Sequence, residues 1–104
     1  MIRKALWVAC ITISTMNRRE RWQAVLELEV ARWSAKSYEE LHSRLSEGQV
    51  YEVEFDSLQH QVEVELLENK PDYLHVSISV DDGTLPASLR PATTGFIRRR
   101  APLP

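Results

Sequence analysis

The stretch QVYEVEFDSLQHQVEVELLENKPDYLHVSISVD, from Gln49 to Asp81, decides the fold class of this chain. Apolar and polar residues alternate along it in three runs, over 51–56, 62–66 and 73–80, and residues typical of turns follow each run. Because successive side chains of a β-strand point to opposite faces, each run places its aliphatic residues on one face and its polar residues on the other. The stretch therefore predicts three antiparallel strands with one apolar and one polar face.

The spacing of the runs also predicts how the first two strands pair. We expect Phe55 to lie opposite Val62, which leaves 57–60 as a four-residue connection, a common hairpin length. His60 then falls in the loop, where it is an ordinary surface or boundary imidazole. A second turn is expected over 68–72, because its proline cannot donate to a strand ladder.

The residues before the strands carry the signals of a first helix. Asn17 is an N-cap residue, and Glu20 stands three positions later, as in a capping box. We expect the helix to run to about Trp33. Its apolar residues recur at spacings of three and four and form one face, with the two tryptophans as core anchors. This face consists of Trp22, Val25, Leu26, Val30 and Trp33.

A second capping box, Ser37 to Glu40, begins a shorter helix that we expect over 38–46, before Gly48. A sheet with one apolar face must bury it against another element, and the two amphipathic helices are available. We therefore predict an α+β domain in which two N-terminal helices pack on one face of a three- to four-stranded antiparallel meander. The fourth strand would lie within 93–99.

The two ends of the chain of 104 residues are expected to differ from this domain. Residues 1–16 form an apolar extension, 17–100 the single α+β domain and 101–104 a frayed tail. The apolar run in the extension is too short to span a membrane and lacks a convincing cleavage site, and the lone Cys10 cannot form an intrachain disulfide. We expect a soluble cytoplasmic protein, in which the extension either packs on the domain as a strand or helix or precedes the true translation start at Met16; export through a weak N-terminal signal is the alternative.

Charge is distributed unevenly along the chain. Residues 1–47 carry a net charge of +2, 48–95 carry −7 and 96–104 carry +3, which gives −2 in total. The acidic excess thus falls in the strands, with a cluster of arginines on either side of them. Two short basic clusters on an acidic chain are weak support for nucleic-acid binding, which we do not expect. The N-terminal arginine cluster consists of Arg18, Arg19 and Arg21, and the C-terminal arginine cluster consists of Arg98, Arg99 and Arg100.

The predicted register brings like charges together on the polar face of the sheet. Glu54 lies opposite Glu63, and Glu52 opposite Glu65, with His75 beside Glu65. Like charges directly opposed across strands are destabilising, so we expect something to offset them. Three offsets are open: solvent together with the arginines of the chain, a basic protein partner, or a divalent metal bound by Glu52, Glu65 and His75.

Motifs for catalysis and for cofactors are absent from the sequence: no nucleophile elbow, no glycine-rich phosphate loop and no cofactor motif occurs. We therefore predict a small non-catalytic binding or regulatory module without a cofactor, which engages a protein partner or itself through its acidic sheet face or a sheet edge. The alternative is a small metal-dependent or hydrolytic enzyme at the polar face around His75. The predicted partner-binding residues are Glu52, Glu54, Glu63, Glu65 and His75.

Overall fold

The computed structural model describes residues 16–83 and 91–101, which form two helices and four strands. The strands make one antiparallel sheet in chain order, so the α+β class is confirmed and the fourth strand is a full member of the sheet. Most of the predicted extension and tail lies outside the described residues. The elements are α1 (Arg18–Ser34), α2 (Tyr38–Arg44), β1 (Gln49–Phe55), β2 (Leu58–Asn69), β3 (Tyr73–Asp81) and β4 (Ala92–Arg99).

Both helices begin where the sequence predicts. The Asn17 side chain accepts a hydrogen bond from the Glu20 amide at 2.8 Å, and Ser37 accepts one from the Glu40 amide at 3.1 Å. Each bond satisfies a backbone donor that the first turn of a helix leaves free. Gly48 follows α2 with a φ of 73°, a left-handed conformation that glycine adopts without strain. Neither helix in the described part of the chain is long and apolar enough to cross a membrane.

The core lies between the helices and the apolar face of the sheet. Trp33, Val64 and Ile78 are fully buried, and burying a side chain of this kind contributes about 1.5–3 kcal/mol. Trp22 is only partly buried, so Trp33 is the principal aromatic anchor of α1. The buried apolar residues form one cluster, which consists of Val25, Leu26, Trp33, Tyr38, Leu41, Leu45, Val62, Val64, Leu74, Val76, Ile78 and Val80.

The hairpin between β1 and β2 is tighter than predicted. Phe55 pairs with Leu58 instead of Val62, so the connection is only Asp56 and Ser57. Their φ angles of 54° and 61° match a type I′ turn, which needs positive φ at both central residues and usually contains Asn-Gly or Asp-Gly. Because the two central residues here are Asp-Ser, without a glycine, the sequence does not predict this turn. Because the pairing shifts by an even number of residues, the apolar alternation stays on the helix side.

Strand β2 runs well beyond the end of β1. Its pairing with β1 ends at Gln49 and Val64, whereas its pairing with β3 continues to Asn69. A register shift between Leu66 and Glu68 interrupts that ladder. Over 65–69, β2 therefore has an open edge on its β1 side, as far as the described residues show.

Candidate functional site

Four glutamates lie on the sheet face opposite the helices and are termed here the acidic surface: Glu52, Glu54, Glu63 and Glu65. All four are exposed, because the alternation that turns the aliphatic residues of β1 and β2 toward the core turns these side chains outward. None of them makes an ion pair with any residue in 16–83 or 91–101. Within the described part of the chain, the acidic surface therefore presents its charge to solvent without an ion-pair partner.

The predicted pairing of glutamate with glutamate is wrong. The two-residue turn shifts β1 along β2, so Glu52 and Glu63 are diagonal instead of directly opposite neighbours. Diagonal residues are about 7–8 Å apart, and like-charge repulsion across that distance in solvent is weaker than across a direct pair. The directly opposed residues carry no charge: Gln61 faces Glu52, Gln59 faces Glu54, Val50 faces Glu63 and Ser77 faces Glu65.

The C-terminal arginine cluster does not reach the acidic surface. Arg98 lies on the helix side of β4 and donates a hydrogen bond to the Ser34 carbonyl at the C-terminal end of α1, where a cation is favourable. Arg100 lies 3.9 Å from a carboxylate oxygen of Glu39. Arg99 is exposed on the same face of the sheet as the acidic surface, but on β4, at the other edge of the sheet from β1. Three consecutive arginines are thus divided between two faces.

The N-terminal arginine cluster lies near the other end of α1. Arg18 pairs with Asp82, and the Arg21 guanidinium lies 3.8 Å from the Asp56 carboxylate in the tight turn. Arg19 is exposed. Since an α-helix rises about 1.5 Å per residue, Arg21 is about 20 Å from Ser34, where Arg98 binds. The six arginines that the sequence groups as basic clusters do not form one patch.

His75 contacts a different carboxylate from the one predicted. Its Nδ1 lies 3.6 Å from Glu68 Oε1, and Glu68 Oε2 accepts a hydrogen bond from Tyr73 at 2.9 Å. This bond raises the pKa of Tyr73. Glu65 lies about 13 Å along the sheet from Glu52, since a strand rises about 3.3 Å per residue. The hypothetical metal site of Glu52, Glu65 and His75 is therefore wrong, and no other group of three suitable side chains lies together in the described residues.

A cleft of about 430 Å³ opens beside the acidic surface, where β2 extends beyond the end of β1. The α2–β1 connection, over 45–48, forms one wall, and β2 forms the other with Glu63, Glu65 and Leu66. Val50 also lines it and is 60% exposed. The cleft thus combines apolar surface, carboxylates and the open edge of β2. The alternating pattern does not reveal it, because the pattern does not show which of two paired strands is longer.

A buried polar network around Glu29 was also missed. Tyr51 donates a hydrogen bond to Glu29 and accepts one of 2.7 Å from Trp33 Nε1, while Arg32 lies 3.6 Å from the same carboxylate. Glu29 is only 6% exposed. Burial, together with the bond to Glu29, raises the pKa of Tyr51 to about 12. The available signal was the position of Glu29 four residues before Trp33, on the apolar face of α1. The network holds α1 against β1 on the side opposite the acidic surface.

His60 is buried, contrary to its predicted place in a loop. The tight turn brings it into β2 on the same face as Val62, and it is 2% exposed. Its Nδ1 lies 3.1 Å from the Leu58 carbonyl oxygen, and its ring forms a T-shaped contact with the Phe55 ring, with 6.3 Å between the ring centroids. Burial lowers the pKa of His60, because the charged imidazolium loses its hydration.

We expect the free energy of unfolding to fall as the pH drops below about 6.5, the unperturbed pKa of histidine. The lowered pKa of His60 means that the unfolded chain binds its proton more readily, so the stabilisation is complete above that pH and is lost as the pH falls through the folded-state pKa. Urea unfolding at pH 7.5 and at pH 5.5 measures the effect. His60→Gln should reduce the pH dependence, whereas His42→Gln, at an exposed site, should keep it. Equal pH dependence in the wild type and His60→Gln would contradict this assignment.

The acidic surface and the cleft offer exposed carboxylates, apolar contacts and free backbone groups. Solvated carboxylates on an open face attract cations but are not the desolvated acid–base pair that proton-transfer catalysis uses. The cleft adds apolar contacts and free backbone groups for an extended chain. Comparison with family models, with curated proteins and with solved structures finds no match to this chain.

Proposed function

We propose that the protein is a small binding module that engages an extended, basic segment of a protein partner through the acidic surface and the adjoining cleft. The observation that carries this proposal is the exposure of all four glutamates without a neutralising cation in 16–83 or 91–101. Lysine or arginine side chains of the partner would supply the opposite charge. Such complementarity favours specific recognition and fast association.

The open edge of β2 supports an extended partner. An added strand can pair with unpaired backbone groups of an edge, and its side chains then alternate between the two faces. One set of alternate side chains would meet Glu63 and Glu65, while the other would lie near Leu66. A segment in which cationic and aliphatic residues alternate fits this arrangement.

We expect a labelled peptide of alternating lysine and valine to bind the wild type at low salt and to bind more weakly as salt screens the charges. Glu63→Gln/Glu65→Gln should weaken binding about tenfold, because two exposed ion pairs of about 0.7 kcal/mol each amount to about that factor. Fluorescence anisotropy measures the dissociation constants.

The matched control for this experiment is Glu20→Gln/Glu27→Gln, which removes the same charge from exposed positions on α1. Its affinity for the peptide should equal that of the wild type. A second control peptide has glutamate in place of lysine and should not bind. The proposal is overturned if both double variants bind equally, or if the acidic peptide binds as well as the basic one.

The alternative, a hydrolytic enzyme around His75, has one contact in its favour. A carboxylate such as Glu68 beside an imidazole can orient it for proton transfer. His75 is not among the residues that line the cleft, however, whereas Glu63 and Glu65 are. We therefore favour binding over catalysis.

A further inference from the structure

We infer that the protein also binds a second copy of itself head to tail, with β4 of one copy pairing with β1 of the next. These strands are the two edges of the four-stranded sheet. Each therefore carries a row of backbone groups that no other described strand pairs, and such edges are templates for strand addition. This inference rests on the proposed function, because the acidic surface would then receive its cation from another copy.

The charges of the two edges select this pairing over the others. The outward side chains of β1 include Glu52 and Glu54, whereas β4 carries the exposed Arg99 on the same face. Antiparallel pairing of β1 with β1 brings Glu52 and Glu54 of the two copies together, whereas antiparallel pairing of β4 with β4 sets Arg99 opposite the uncharged first residues of the other strand. Pairing β1 with β4 sets Arg99 beside glutamate, and opposite charges across strands are stabilising.

The apolar residues of the two edges favour the same contact. Val50 on β1 is 60% exposed and Ile97 on β4 is 48% exposed, and both lie on the outward face. On the inward face, α1 packs against β3 and β4, while Phe55 and the other apolar residues of β1 are only partly buried. A neighbouring copy would place its own α1 near this incompletely covered side of β1.

Strand direction makes the contact geometrically simple. Adjacent strands are antiparallel throughout the sheet, so β1 and β4 run in opposite directions. A second copy in the same orientation therefore continues the sheet with an antiparallel pair, and the helices of both copies stay on one side. Because the two contacting surfaces differ, the association is heterologous and extends to chains of more than two copies.

Sedimentation velocity at increasing protein concentration and low salt tests the inference. The wild type should pass beyond the dimer mass and return to monomer at high salt. Arg99→Glu and Glu52→Arg/Glu54→Arg should each weaken association at least about tenfold. Mixing the two variants should restore assembly, because an intact β1 edge then meets an intact β4 edge. Arg19→Glu, an exposed reversal on α1, should assemble like the wild type.

Three results would overturn head-to-tail pairing: a wild type that is monomeric at every concentration, a reversed variant that assembles alone, or a mixture that stays monomeric. Circular dichroism establishes that each variant is folded. The Arg99→Glu variant keeps the acidic surface and the cleft, so it should bind the lysine–valine peptide like the wild type. Peptide binding by a monomeric wild type would refute self-association alone, whereas assembly without peptide binding would refute the proposed function alone.

Discussion

Replacing Trp33 with alanine is expected to lower the free energy of unfolding by about 3–5 kcal/mol, the largest effect of any change considered. Trp33 is fully buried and belongs to the cluster that joins α1 to the sheet. Truncation removes its apolar contacts and leaves a cavity that the surrounding helices and strands can fill only in part. It also removes the Nε1 donor that binds the Tyr51 hydroxyl at 2.7 Å.

Urea unfolding followed by far-ultraviolet circular dichroism measures this loss. Trp22→Ala is the matched control, because it makes the same change on the same helix at a partly buried site, beneath the Arg18 guanidinium at 4.8 Å from its ring. We expect the control to lose much less stability. Equal losses in the two variants would show that Trp33 is not the principal anchor.

Replacing Tyr51 with phenylalanine is expected to lower the free energy of unfolding by about 1–3 kcal/mol, because two buried polar groups each lose a hydrogen bond. The Glu29 carboxylate loses a hydrogen-bond donor at a site that is 6% exposed, and Trp33 Nε1 loses its acceptor. The apolar area that the ring buries hardly changes. Urea unfolding at pH 7 measures the cost, and making the same change in a Glu29→Gln background tests the coupling, since residues in contact are not additive.

Tyr51 should also make the free energy of unfolding sensitive to alkaline pH. Its raised pKa means that the folded chain holds the phenol proton more tightly than the unfolded chain, whose tyrosines titrate near about 10. The stabilisation is therefore complete below that pH and is lost as the pH rises toward the folded-state value of about 12. Between pH 9 and pH 11, the free energy of unfolding should fall less in Tyr51→Phe than in Tyr38→Phe. The Tyr38→Phe variant is the control because it keeps the Tyr51–Glu29 contact. Identical alkaline losses would contradict the assignment.

Local sequence was sufficient to predict the elements and the faces of the sheet. Asn17 and Ser37 determine where the helices begin, because a side-chain oxygen at an N-cap bonds an amide two or three residues ahead. Alternation determines that Val64 points inward and Glu63 outward, because side-chain direction in a strand depends only on position along that strand. These properties need no knowledge of which strand lies beside which.

Register, in contrast, depends on contacts that the alternating pattern cannot distinguish. Any even shift of β1 along β2 keeps the same residues inward, so the pattern is equally compatible with a four-residue loop and with the Asp56–Ser57 turn. The two-residue turn buries His60 and separates the glutamates that would otherwise be directly opposed. It also lets β2 extend beyond the end of β1, where the cleft forms. The partners of Glu29 and Arg98 likewise come from distant segments, Tyr51 and Ser34. Sequence alone therefore identified the acidic surface as a face, whereas packing between remote elements placed the cleft beside it and, among residues 16–83 and 91–101, directed the arginines to other partners.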